Sequence, residues 1–289
     1  MIVSRSKYKR VLQYILLLML AAMLLFPIVL ITANSFMDEN EVISTYGMSG
    51  SDGTALDKDY AKIVFIPGKA SLMQYYYALL REPTFLVMFW NSVILTAPIM
   101  LGQILVSSFG GYAFAKYRFP LRDQIFFLFI IVMLMPYQVT LVPNYILFNK
   151  MNMIGSYLAI ILPGVFTTFG VFLLRQFIQG IPDEYSQAAR VDGAGHLSIF
   201  FRVIMPQCKS GIASLAILSF VDNWNMVEQP LIFLRDSYKY PMSIFLSFIN
   251  TSNPGIAFAC GILYMLPAVL IFLYGEEYLI KGIQLSGIK

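Results

Sequence analysis

The sequence predicts an all-α polytopic membrane protein with six transmembrane helices and a long cytoplasmic loop between the fourth and fifth. Three observations predict it. Of the 289 residues, 58% are hydrophobic and only 12% charged, about half the charge that soluble domains carry. Six largely apolar runs are long enough to cross a hydrocarbon core of about 30 Å, which takes about 20 residues. Lysine and arginine are also distributed unevenly between alternate connecting segments.

Residues 1–10 carry Arg5, Lys7, Lys9 and Arg10 and read as a cytoplasmic N-terminus. Residues 11–33 (Val11 to Ala33) are free of charge and form the first span, closed by Asn34, Ser35, Asp38 and Glu39. That run exceeds the roughly 7–15 apolar residues of a signal-peptide core, and no A-x-A site follows, so it is expected to remain as an anchor. Residues 34–84 are an extracytoplasmic loop. Residues 85–289 form a transmembrane domain of five further spans: Phe85 to Phe114, Gln124 to Phe148, Ile154 to Leu174, Gly211 to Leu234 and Ile256 to Tyr274.

Orientation follows from the cations. With the N-terminus inside, segments 1–10, 115–123, 175–210 and 275–289 hold four, three, four and two of them, 13 of the 20. Segments 34–84, 149–153 and 235–255 hold the other seven, as four, one and two. The excess belongs in the cytoplasm, so both termini of this multi-pass chain are expected there. The seven acids of 34–84 agree with an outside location.

Several function classes are excluded. Cys208, Cys260 and the lone His196 have no metal-ligand spacing, so neither zinc nor redox chemistry is expected. No H-E-x-x-H, no G-x-S-x-G and no pair of carboxylates at matching depth points to a catalytic residue. The net charge of +4 is modest and its placement matters more than its size; the apolar composition implies a lipid bilayer as partner, and no nucleic acid is expected. The two three-span halves do not look alike, which disfavours a carrier built from inverted repeats. Prolines at 27, 98, 136, 143, 163 and 267 suit helices packed round a cavity, or kinks without function.

The 175–210 loop is the most informative segment. Pro182 or Asp183 can open a helix, proline being tolerated and acids favoured in a first turn. Gly193 and Gly195 can end it by supplying positive φ. On that helix Glu184, Gln187, Ala188 and Val191 share a face by i, i+3, i+4, i+7 spacing. A second short helix is predicted from about Leu197 to Met205, stopped by Pro206, with i, i+4 pairs Leu197–Phe201 and Phe200–Ile204. Such partly apolar helices either fold back on the bundle or are covered by a partner.

The fifth span is the polar one. Asp222, Asn225 and Gln229 follow i, i+3, i+7, and Glu228 and Asn223 widen the polar surface. Asp222 lies roughly 17 Å from Gly211 at 1.5 Å per residue, where a charge costs on the order of 2.5–3.5 kcal/mol. Such a group faces either a hydrated path or another helix.

The run I-P-D-E-Y-S-Q-A-A-R-V-D-G-A-G from Ile181 to Gly195, followed by I-M-P, closely resembles the coupling loop of ABC importer permeases. More of the chain is similar to the carbohydrate branch of that family: Trp90-Asn91-Ser92, Tyr112 to Pro120, Met135 to Tyr145, Trp224-Asn225 and Pro230 to Phe233. The resemblance covers about residues 85–289.

The resemblance implies that the loop docks on a cytoplasmic ATPase. It assigns Gln187, Ala188 and Ala189 to the E-A-A positions, Asp192 and Gly193 to D-G, and Met205-Pro206 to L-P. Gln187 replaces the usual glutamate, for which Glu184 is the neighbouring substitute, and Met205 replaces leucine. The implied machine imports a sugar or oligosaccharide by alternating access. It comprises a second permease subunit, two copies of the ATPase and an extracytoplasmic solute-binding protein. No cofactor is expected on this chain. No G-x-x-x-x-G-K-[ST] occurs, so ATP and Mg belong to the partner.

In this reading Asp222, Asn225, Glu228 and Gln229 line the solute pathway, although in the family one permease of a pair can hold most contacts. Tyr137, Trp224 and Tyr264 are either sugar platforms or packing and belt residues. The 34–84 loop either touches the binding protein or is an unstructured insert. The alternative functions are an ATP-independent carrier or channel, which would use Asp222 for ion coupling, and, on weaker grounds, an intramembrane enzyme.

Overall fold

The structure, a computed structural model, describes residues 2–46, 64–81, 83–252 and 254–287. The stretch holding Gly47, Gly50, Asp52, Gly53, Asp57 and Asp59 lies outside them. Every regular element among the described residues is helical. In chain order they are α1 (Ile2–Asn34), α2 (Glu39–Tyr46) and α3 (Met73–Tyr76), which widens into a π turn at Tyr77–Arg81, then α4 (Pro83–Lys116). Next come α5 (Arg122–Met133), α6 (Gln138–Lys150), α7 (Leu158–Gly164), α8 (Thr168–Gln179) and α9 (Asp183–Val191). Then α10 (His196–Ile199) runs through a π turn at Phe200–Ile204 into α11 (Met205–Gln207). The chain ends with α12 (Lys209–Trp224), α13 (Glu228–Phe233), α14 (Met242–Ser252) and α15 (Ala257–Gly287).

Four stretches are long and apolar enough to cross a membrane: Lys9–Asn34, Pro83–Lys116, Leu158–Gln179 and Ala257–Tyr278. Two bent pairs, α5 with α6 at 99° and α10–α11 with α12 at 77°, raise the number to six if each pair is one span. The first stretch shows what lipid demands: residues 9–29 are exposed on every side, as a helix apolar all round requires.

Three predicted spans differ in detail. The third is not one helix but two, separated at Leu134–Tyr137. Pro136 sits in that break, lacking an N–H and pushing Met135 away from helical geometry. The fourth begins at Leu158 rather than Ile154 and is interrupted after Gly164, where Thr167 caps α8 by accepting from the Gly170 N–H. The fifth ends at Trp224, and its remainder is the separate α13. There the Asn223 and Asn225 amides each donate to a carbonyl one turn back, Ser219 and Val221, at 2.7 Å. Side chains that bond the local backbone in this way weaken helix continuation.

The chain divides into two compact units. The first contains residues up to Leu86 together with Phe245–Met265. Its organising residue is the fully buried Gln74. The Gln74 amide donates at 2.9 Å to the carbonyls of both Asn34 and Met37, tying the last residue of α1 to the turn that follows it. Its carbonyl oxygen accepts from the Ala259 N–H at 3.4 Å.

The second unit holds Val87–Ile244 and the chain from Leu266 onward. Two apolar clusters organise it. One gathers Leu95, Ile99, Leu141, Phe148, Ile160 and Phe233, and the other Tyr112, Leu174, Ile178, Ile199, Phe200 and Ile204. The W-N-S run has a structural part here. Asn91 donates to the carbonyls of Tyr238 (2.7 Å) and Tyr240 (3.1 Å) and accepts from the Tyr157 hydroxyl at 2.8 Å. Ser92 accepts from the Met242 N–H at 2.8 Å.

Helices α4 and α8 approach so closely at Gly111 that an added Cβ would lie 2.9 Å from the Arg175 backbone nitrogen and 3.1 Å from the Leu174 carbonyl carbon. Backbone cannot give way as a side chain can. Gly111→Ala is therefore expected to destabilise the protein by about 1–3 kcal/mol through overpacking, read as a lower thermal midpoint in detergent. An unchanged midpoint would show that the two helices separate freely.

Candidate functional site

The loop between α8 and α12 folds much as its glycines and prolines suggest. Pro182 caps α9 in extended geometry, Asp183 and Glu184 occupy the first turn, and Arg190 the last, each charge matching the helix dipole. Gly193 takes φ of +83°. Its N–H bonds the Arg190 carbonyl at 3.0 Å, and the Ala194 N–H reaches back to Ala189 at 2.9 Å. These two bonds make a Schellman cap. Gly195 behaves differently from the prediction. At φ −73° and ψ 164° it is extended backbone preceding α10, because Gly193 alone has already reversed the chain.

The second loop helix also departs from prediction. Pro206 does not stop it: the helix starts at His196, widens to a π turn and runs through Pro206 to Gln207. Proline is accommodated there because the π turn just before it has already shifted the backbone pairing, the Met205 N–H bonding the Phe200 carbonyl. The turn falls at Cys208 instead, whose N–H is shared between the Ile204 and Met205 carbonyls.

The loop both folds back and leaves a face uncovered. Ser186, Ile199, Phe200 and Ile204 are buried, while Ala189, Ala194 and Met205 pack partly buried against the same cluster. Glu184, Gln187, Ala188, Asp192, Gly193 and Pro206 are exposed. With them stand large apolar groups: Val191 is 88% exposed, Leu197 67% and Phe201 54%. Of the two predicted i, i+4 pairs, Phe200–Ile204 points inward and Leu197–Phe201 outward.

The end of α4 grips this loop. The Lys116 ammonium donates to Asp183 Oδ1 at 2.6 Å and also to the Ile181 carbonyl. The Tyr117 hydroxyl lies 2.8 Å from His196 Nδ1. The Lys116 hydrogen bond and charge, with smaller help from Arg118 and Arg190, hold the Asp183 carboxyl below its usual range. The contribution of this ion pair is thus complete above the ordinary aspartate pKa and fades only as pH falls through the lowered one.

A polar cavity of about 590 Å³ is lined by Tyr137, Gln138, Asp222, Asn225, Glu228 and Gln229 among others. A neighbouring one of about 220 Å³ shares Tyr137, Asp222 and Gln229 and adds Gln103 and Thr167. The four predicted residues are brought together, but by a turn rather than along one helix face. The i, i+7 relation of Asp222 to Gln229 has no helix to support it, since the chain turns between α12 and α13. Among the cavity residues that escaped the sequence reading are Gln138 and Gln103. Gln138 donates to both Glu228 oxygens at 3.1 Å. The Gln103 amide donates to the Gly164 carbonyl at 2.7 Å. Polar residues in apolar runs were the available signal for both. Trp224 is 1% exposed, stacked on Phe220 and edge-on to Phe89, so its ring is packing. Tyr264 belongs to the first unit and is not among these cavity residues.

Comparison with known proteins adds the family context. A family model described as the inner membrane component of binding-protein-dependent transport systems matches residues 103–283. The chain is 30% identical over 239 residues to the arabinooligosaccharides transport system permease protein AraQ of Halalkalibacterium halodurans, covering 82% of this chain and 86% of that one. It is 31% identical over 202 residues to the sn-glycerol-3-phosphate transport system permease protein UgpE of Yersinia enterocolitica, covering 68% and 72%. Among solved structures, a chain of a bacterial ABC transporter involved in the import of the acidic polysaccharide alginate superposes with a TM-score of 0.78 at 19% identity, over 94% of this chain and 96% of that one. That likeness concerns the fold.

Proposed function

The chain belongs to the binding-protein-dependent transport system inner membrane components, and from that premise we propose that it forms half of a sugar or oligosaccharide pathway. A solute-binding protein delivers the solute, a second permease completes the pathway, and two copies of a separate ATPase drive alternating access. The observation that carries this reading is the uncovered face of the loop, where Val191, Leu197 and Phe201 stand exposed beside Glu184, Gln187 and Ala188. Large apolar groups left exposed among polar ones point to an interaction surface. The loop's cationic neighbours support a cytoplasmic location under the positive-inside rule, with both termini on the same side. Nucleotide and Mg belong to the ATPase.

Asp222, Asn225, Glu228 and Gln229, with Tyr137 and Gln138, offer carboxylates, amides and a phenol to a hydroxyl-rich solute. Ionised carboxylates accept such hydroxyls strongly, and the amides both donate and accept. AraQ, whose printed name refers to arabinooligosaccharides, supports a carbohydrate; the glycerol-3-phosphate relative widens the class to other polyol derivatives. The exposed docking face speaks against a carrier that works without ATP.

Co-purification tests the docking face. Val191→Asp with Leu197→Asp is expected to lower recovery of the ATPase with this chain about tenfold, the equivalent of roughly 1.4 kcal/mol, at unchanged membrane insertion. Undiminished recovery would remove this surface from the interface.

A further inference from the structure

Consecutive residues at the end of α4 reach the two ends of the loop. Lys116 holds the start of α9 through Asp183 and the Ile181 carbonyl, and Tyr117 meets the start of α10 at His196. One turn or two earlier, α4 adds ring contacts to the same loop helix. Phe109 stacks on Phe200 at 4.6 Å, and Tyr112 packs against that ring at 5.2 Å. The Lys116 side chain is 11% exposed, so its charge has little water to fall back on if the loop moves away. Buried charges separated from their partners are costly.

The helices joined to the loop in sequence are poorer levers. α8 ends at Gln179 and is followed by Gly180, Ile181 and Pro182 before α9 starts at Asp183. α12 leaves the loop across the 77° bend. By contrast α4 is unbroken from Pro83 to Lys116, and it carries Ile99 and Gln103 to the wall of the smaller cavity. Lys116 and Gln103 are separated by roughly 20 Å of continuous helix at 1.5 Å per residue.

We infer that Lys116 and Tyr117 form a clamp through which displacement of the loop moves α4, and that α4 carries the motion to the cavity. They are positioning residues for transport, touching neither nucleotide nor solute. The inference rests on the loop being the ATPase-docking element.

The test uses the assembled complex with its ATPase and binding protein in lipid vesicles, and reads solute moved per ATP hydrolysed. Lys116→Met and Tyr117→Phe are each expected to lower that ratio roughly two- to thirtyfold, the range seen when coupling residues are changed. ATPase recovery with this chain should stay as in the wild type. The exchange of Lys116→Asp with Asp183→Lys should restore part of the ratio lost by Lys116→Asp alone, and a ratio that falls at unchanged ATPase recovery is the readout that a merely structural role would not move. Tyr117→Phe removes one oxygen and remains informative if the lysine variants assemble poorly. Wild-type ratios in Tyr117→Phe and in any assembled Lys116 variant, at normal ATPase recovery, overturn the clamp alone. Failure of the wild-type chain to recover any ATPase overturns the docking reading and the clamp with it.

Discussion

Gly193→Val is expected to abolish solute uptake while the chain still inserts in the membrane. The glycine holds φ of +83° with nothing within 4 Å of where a Cβ would stand, so the defect is not a clash. It is backbone strain: left-handed geometry costs an ordinary L-residue about 1–2 kcal/mol, and a β-branched one is the worst case. Two bonds depend on that geometry, Gly193 to Arg190 and Ala194 to Ala189. Losing them re-aims α10 relative to α9 and takes apart the face containing Val191 and Leu197. The expected order of uptake is wild type, then Gly193→Asn, which tolerates this region, then Gly193→Val. Deletion of 183–195 should be equally inactive. Uptake undiminished by that deletion would show that force does not enter through the loop.

Replacing Asp222 has the second large effect. Asp222 and Glu228 both line the larger cavity, and Glu228 accepts two bonds from Gln138. Hydrogen bonds to charged groups are worth about 1.5–3 kcal/mol. Asp222→Leu is therefore expected to reduce uptake at least about tenfold, since 1.4 kcal/mol is a factor of ten. ATPase recovery should be unaffected because the docking face is left intact. Normal uptake in both Asp222→Leu and Glu228→Leu would move the solute path away from this cavity and return these carboxylates to helix contact.

What was legible in the sequence follows the strength of the local physics. Apolar runs give the spans because lipid tolerates little else. Gly193 was readable as a cap since few residues accept positive φ, and Asp183 and Glu184 were readable as a helix start. Continuity of the third and fifth spans was not readable. An apolar window cannot distinguish one helix from two set at 99°, and the turn after Trp224 depends on Asn223 and Asn225 bonding their own backbone. Asp222, Asn225, Glu228 and Gln229 do line one cavity, but a turn, not the helix face that their spacing suggests, brings Gln229 back to Asp222. In the sequence Lys116 counts only among the three cations of segment 115–123. Its hold on Asp183 links residues 67 apart in sequence, and long-range pairing of that kind leaves no periodic trace.

The most direct measurement is uptake of labelled oligosaccharide into vesicles holding this chain with its permease partner, ATPase and binding protein, compared with vesicles holding this chain alone. The expected result is accumulation that needs ATP hydrolysis in the first and none in the second. Solute movement by the unaccompanied chain at a comparable rate would contradict a machine driven from the loop.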